Sequence, residues 1–220
     1  MGALAAELMH KIHGCDVWAG FVPVMAPDLQ GWNSTHPWLA TLGGGARVIL
    51  DVGTWKGGST VFLAKAMKHC VGDGCVIGID SFLGSVEHAV IGGPHFGLIP
   101  RRHGFPVLYE QFLTNVLAHE VADVVVPLAL PTDAAADLLH RLRITADLIH
   151  IDAAHDYEAV RRDVRAYWRV LKPGGTLLGD DYGPSWPGVV QAADEFATEL
   201  SLPLVSDRPK WRLDKPLHGH

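Results

Sequence analysis

Four short apolar runs rich in β-branched residues recur along the chain, each followed by a turn signal and a helical pattern: RVILDVG (47–53), CVIGID (75–80), ADVVVPL (122–128) and ADLIHID (146–152). A fifth, GTLLGDD (175–181), follows the turn Lys172-Pro173-Gly174-Gly175. Near-continuous apolar strands alternating with helices predict an α/β fold with a parallel sheet covered on both faces. The clearest helix starts near Asp156. Tyr157, Val160, Val164, Trp168 and Leu171 fall on one stripe, and Glu158, Arg161, Arg162, Arg165 and Arg169 face outward. Pro173 and the glycine pair are expected to stop this helix and return the chain to the fifth strand. A further helix is expected over 188–200. After it come LPLVSDR and KWRLDK, two extended pieces suited to antiparallel pairing at the sheet edge.

Two segments fall outside this rhythm, 13–45 with its Trp, Pro and Gly, and 81–105 with His88, His95, His103, Arg101 and Arg102. Long loops in a compact domain are usually lids or disordered. The chain is therefore read as one compact unit, an N-terminal helical and loop cap over 1–45 and a domain over 46–220 that carries a lid insert at 81–105. Its 220 residues suit a single core. No apolar run approaches the roughly 18 residues of a membrane span, and the N-terminal apolar stretch is short for a signal peptide, so a cytoplasmic protein is expected. The formal charge of −6 gives no broad footprint for nucleic acid or an anionic membrane, which favours a small-molecule substrate. Cys15, Cys70 and Cys75 lack CxxC spacing, so they suggest neither a zinc site nor a disulfide framework. Most histidines, among them His218 and His220 in the tail, read as solvated. The N-terminal helix and exposed tryptophans are compatible with a homodimer.

In VILDVGTWKGGST an acid ends a strand, a glycine-rich turn follows, and Ser59 and Thr60 open a helix. Glycine lets a ligand approach the backbone, and a helix N-terminus offers free N–H groups. Alone this is equally a plain β-to-α turn capped by Ser59. Asp80 shifts the balance, because an acid at the end of the second strand is placed to hydrogen-bond the ribose hydroxyls of a nucleoside. Asp51 beside the loop would repel pyrophosphate but can accept from an amino group. S-adenosylmethionine has an amino group and no phosphate, and neither GxGxxG spacing nor a GK[ST] motif is present.

Asp152 ends the fourth strand and Asp180 and Asp181 end the fifth, at the edge where open α/β sheets bind ligands. Three carboxylates there would repel one another unless a hard divalent cation such as Mg²⁺ relieved them, and Mg²⁺ keeps positions for water or for a diol. The bland reading has Asp152 capping a helix and Asp180-Asp181 starting a turn. His155, three residues past Asp152, is placed to act as general base on a hydroxyl, although a histidine at a helix start is commonplace.

These motifs together resemble the class I S-adenosylmethionine-dependent methyltransferases, and more narrowly the metal-dependent sugar O-methyltransferases of the macrocin O-methyltransferase type. DVGTWKGGST, GIDSFLG, IDAAHDYEAV and LKPGGTLLGDDY carry the resemblance, which covers roughly residues 28–200. It implies a Rossmann-like, doubly wound fold with a mostly parallel seven-stranded sheet and an antiparallel edge. It assigns the cofactor S-adenosyl-L-methionine to Asp51, Gly53, Thr54, Ser59 and Asp80, with Ser81 beside them. Mg²⁺ falls to Asp152, Asp180 and Asp181, and catalysis to His155 with Asp152. DLQGWNSTHP looks like an N-terminal feature of bacterial relatives, where Gln30, Trp32 and Ser34 could line the cofactor mouth. The chain is short for the macrolide enzymes and its 81–105 insert does not match their substrate regions. An O-methyltransferase for a hydroxyl of a small polar natural product leads, ahead of a metal-independent O- or N-methyltransferase and of a non-catalytic cofactor-binding protein.

Overall fold

The computed structural model describes residues 2–30 and 35–217, so Trp32, Ser34, His218 and His220 lie outside the described residues. In chain order the elements are α1 (Ala3–His13), α2 (Pro37–Gly45), β1 (Val48–Val52), α3 (Gly58–Cys70), β2 (Cys75–Asp80) and α4 (Val86–Ala89). A 3₁₀ turn, Phe96–Leu98, leads to the small hairpin β3 (Arg101–Arg102) and β4 (Phe105–Pro106). Then follow α5 (Leu108–Ala118), β5 (Val125–Ala129), α6 (Thr132–Arg141), β6 (Ala146–Ile151), α7 (Tyr157–Trp168), β7 (Leu171–Gly179), α8 (Pro187–Leu200), β8 (Val205–Asp207) and β9 (Lys210–Asp214).

The main sheet has seven strands in the order β5-β2-β1-β6-β7-β9-β8. Its first five strands run parallel, and β9 and β8 close the edge antiparallel, as the sequence pattern implies. Alternation along each strand divides the core. Val48, Leu50 and Val52 of β1 and Cys75, Ile77 and Ile79 of β2 pack with α1, α6, α7 and α8, while Ile49 and Val76 turn to α2, α3 and α5. Strand order reverses between β1 and β6, which puts the crevice for a ligand at their carboxyl ends. Among the described residues no helix is long and apolar enough to cross a membrane.

Two strand limits differ from the sequence expectation. Residues 121–124 form a turn closed by the Val124 N–H on the Val121 carbonyl, so β5 begins at Val125 rather than at 122. Strand β7 begins earlier, at Leu171, which pairs with Ala146; the register then shifts before Thr176 pairs with Leu148. The intervening Pro173-Gly174-Gly175 therefore makes a bulge inside the strand, with Gly174 at φ 79°. The 81–105 segment is not a bare loop, because α4, the 3₁₀ turn and the β3–β4 hairpin lie within or at its end.

Candidate active site

The glycine turn is shaped by a close approach of two strand ends. Gly53 has φ 85°, and a Cβ there would stand 2.0 Å from the carbonyl oxygen of Asp152, so no side chain fits. The N–H groups of Gly53 and Thr54 both donate to the Ile79 carbonyl, binding the turn to β2. Helix α3 opens on Gly58 behind Gly57 at φ 92°, not on Ser59, which lies inside the first turn. Ser59 and Thr60 instead send their hydroxyls back to Asp51 Oδ2, at 2.8 and 2.5 Å.

Asp51 is wholly buried. Its Oδ1 accepts from His150 Nδ1 at 2.7 Å, across the β1–β6 pairing in which the two residues are register partners. Burial alone would raise its carboxyl, but the hydrogen bonds and the His150 contact outweigh that and hold it below the ordinary carboxylate value. The expectation that Asp51 takes an amino group thus meets a carboxylate whose oxygens are occupied by the chain itself. Here it fastens the first turn of α3 to β6.

Asp80 remains half-buried at the end of β2. Its Oδ2 accepts from the Trp55 N–H at 2.9 Å and its Oδ1 from the Phe82 N–H at 2.8 Å. Burial raises its carboxyl, the Asp51 charge adds to this, and the backbone donors offset part of it. Ser81 caps the following turn, its Oγ accepting from the Leu83 N–H. Thr54 is buried with its hydroxyl unpartnered among the described residues, an orphaned polar atom at the expected cofactor turn. Gln30 accepts from Lys56 Nζ at 2.7 Å, beside the Lys56–Asp28 ion pair at 2.6 Å.

Among the described residues the acids at the next two strand ends meet only in pairs: candidate ligand atoms of Asp152 come together with those of Asp180 and, separately, with those of Asp181, and no group within 4.8 Å joins all three. Asp152 follows β6 with its N–H on the Val52 carbonyl, and Asp180 follows β7 with its N–H on that of Ile151. Asp181 turns away from the sheet at φ 60°, and its Oδ2 lies 2.7 Å from His155 Nε2. The His155 ring stacks on Trp186, centroids 4.0 Å apart. Candidate ligand atoms form two groups within 4.8 Å that share Asp152, one with His150 and Asp180 and one with His155 and Asp181. Among the described residues the Asp152 carboxylate receives no hydrogen bond. Burial holds its carboxyl well above the ordinary value; the charges of Asp180, Asp181 and Asp51 add to this, and Lys210 opposes it.

Sequence reasoning missed two residues here. Lys210, fully buried at the start of β9, donates to Asp180 Oδ2 at 2.5 Å and to His150 Nε2 at 3.0 Å. His150 is enclosed as well, and burial, then the Lys210 charge, lower its pKa despite Asp51. Its only sequence signal was position, since it stands two residues before Asp152 on the same strand face. Lys210 had none, because a lysine after Pro209 reads as an ordinary edge residue.

Strand order, the glycine turn after β1 and the acid closing β2 are those of a class I S-adenosylmethionine-dependent methyltransferase. Residues 50–182, more than half of the chain, match the family model described as a methyltransferase domain, and the chain belongs to that family. Solved structures agree in fold. CalS11, a calicheamicin methyltransferase, superposes with TM-score 0.59 at 20% identity, covering 80% of this chain and 75% of its own. The O-methyltransferase NovP gives 0.59 at 19%, covering 81% and 78%. An O-methyltransferase from Bacillus cereus in complex with SAH gives 0.59 at 17%, covering 86% and 84%. No curated protein matches the chain.

Proposed function

We propose that the chain transfers the methyl group of S-adenosylmethionine to a hydroxyl oxygen of a small polar natural product, a sugar or another vicinal diol, with Mg²⁺ as a cofactor. The observation that carries this reading is the Asp152 carboxylate, half-buried among like charges without a hydrogen bond, next to the His155–Asp181 pair. Asp152, with Asp180 on one side and Asp181 on the other, offers carboxylate oxygens that suit a hard cation, gathered here in two groups that share Asp152 rather than in one, and the repulsion around Asp152 is what such a charge would relieve. Bound there, Mg²⁺ would lower the pKa of an acceptor hydroxyl and fix its orientation. The chain supplies the rest. His155 Nε2 lies against Asp181, which leaves Nδ1 as the nitrogen free to take the hydroxyl proton, and Trp186 stacks against the ring and fixes its plane. The oxygen–carbon bond forms as the sulfur–carbon bond breaks, and the released electron pair neutralises the sulfonium. Asp80 at the end of β2 and Thr54 in the glycine turn would hold the nucleoside of the methyl donor.

The neighbours support the choice of oxygen. One CalS11 structure is described as that of a TDP-rhamnose 3'-O-methyltransferase, with TM-score 0.53 at 18% identity, and NovP is described as an O-methyltransferase. A second reading, a metal-independent O- or N-methyltransferase, draws on the pairing of Asp180 with Lys210 and of Asp181 with His155, which already balances part of the negative charge. Both readings are tested by incubating the enzyme and labelled S-adenosylmethionine with a panel of nucleotide sugars, vicinal diols and amines, with and without EDTA. Label on oxygen that disappears with EDTA supports the first. Label on nitrogen, or EDTA-insensitive turnover retained by Asp181→Ala, supports the second.

A further inference from the structure

A lysine with no exposed surface needs an explanation, because leaving water costs an ammonium several kcal/mol and a packed apolar side chain of the same volume is often as stable. Lys210 Nζ has three donors and no acceptor. Its contact with His150 therefore makes Nε2 an acceptor, so the ring proton sits on Nδ1 and is donated to Asp51. A single buried line of hydrogen bonds results. It runs from the hydroxyls of Ser59 and Thr60 through Asp51, His150 and Lys210 to Asp180, and on to the backbone N–H of Asp181. Along this line the charges are a carboxylate, a neutral ring, an ammonium and a second carboxylate. Asp180 thus has one oxygen on a fixed cation and the other on a backbone donor, whereas Asp152 has neither.

We propose that Lys210 is a positioning residue of the active site, a cation built into the chain that holds Asp180 in place and sets how tightly the acid cluster takes a divalent cation. The inference rests on reading Asp152, Asp180 and Asp181 as the acids that serve the acceptor. A unit positive charge one hydrogen bond from Asp180 opposes any divalent ion drawn to the same acids, and burial leaves that opposition weakly screened. The cluster is therefore kept in shape without an ion and binds one loosely.

The test is a Mn²⁺ titration followed by electron paramagnetic resonance on the whole chain, without cofactor or acceptor. Lys210→Gln keeps an N–H donor, one bond shorter, and removes the charge, while Lys210→Met removes both. Mn²⁺ should bind Lys210→Gln ~10-fold or more tightly than the wild type. Thermal unfolding should respond to Mn²⁺ more strongly in both variants than in the wild type. Equal affinities in wild type and Lys210→Gln would overturn the proposal. So would failure of both variants to fold even when refolded with Mn²⁺, since Lys210 would then be structural alone. Uptake by Lys210→Gln with none by the wild type upholds the inference and removes Mg²⁺ from the functional reading. If neither chain binds the ion the inference falls, while the acceptor panel still decides the methyl transfer.

Discussion

The separate duties of single side chains are what mutation can resolve. Asp80→Ala should weaken S-adenosylhomocysteine binding by calorimetry, whereas Asp152→Ala should leave it intact and abolish turnover; equal loss of ligand in both would contradict the division of roles. His155→Ala should lower turnover ~10²-fold if Nδ1 takes the proton. Thr54→Val replaces an unpartnered buried hydroxyl with an apolar isostere, so the free protein should gain about 1 kcal/mol in urea unfolding while its affinity for S-adenosylhomocysteine falls. Unchanged affinity would separate that hydroxyl from the cofactor. Away from the site, Asp163 is pushed up to about 6, mainly by burial, against an unfolded value near 3.8. Its folded form holds the proton more tightly, so stability falls as pH rises through that interval. Asp163→Asn should therefore match the wild type near pH 3 and exceed it by about 1–3 kcal/mol at pH 7, in unfolding curves taken across the range.

At the scale of elements, glycines decide whether strand ends can meet. Gly53→Ala would drive a methyl into the Asp152 carbonyl and strain a left-handed position, so a loss of about 3 kcal/mol or more is expected in thermal unfolding. At Gly179 a Cβ would lie 2.2 Å from the buried Trp211 indole. Gly179→Ala should shift tryptophan fluorescence and loosen β9 from β7. The strands themselves were legible because their apolar runs were continuous and, β5 apart, ended at glycine or acid. The bulge in β7 was not, since Pro173-Gly174-Gly175 reads locally as a turn and only pairing with β6 turns it into part of a strand. Likewise the acids Asp152, Asp180 and Asp181 could be placed at one edge from their strand ends alone. That Asp51 meets His150 depends on the lateral register of β1 and β6, which no local pattern carries.

For the whole molecule, the antiparallel edge does more than cover the sheet, because its β9 carries the lysine that contacts His150 and Asp180. Lys210 lies 30 residues beyond Asp180 and 60 beyond His150, contacts that only the completed topology makes. The length of that separation is why the sequence disclosed the acids and concealed their counter-charge. It also bears on how the protein comes to exist. During translation the ribosome releases Asp51, His150 and Asp180 well before the lysine that balances them, so the nascent chain can build its glycine turn early yet cannot seal its acids into the core until the last hairpin emerges. Products cut short before β9 would carry a stranded carboxylate, which marks them for proteolytic clearance instead of slow, partial activity.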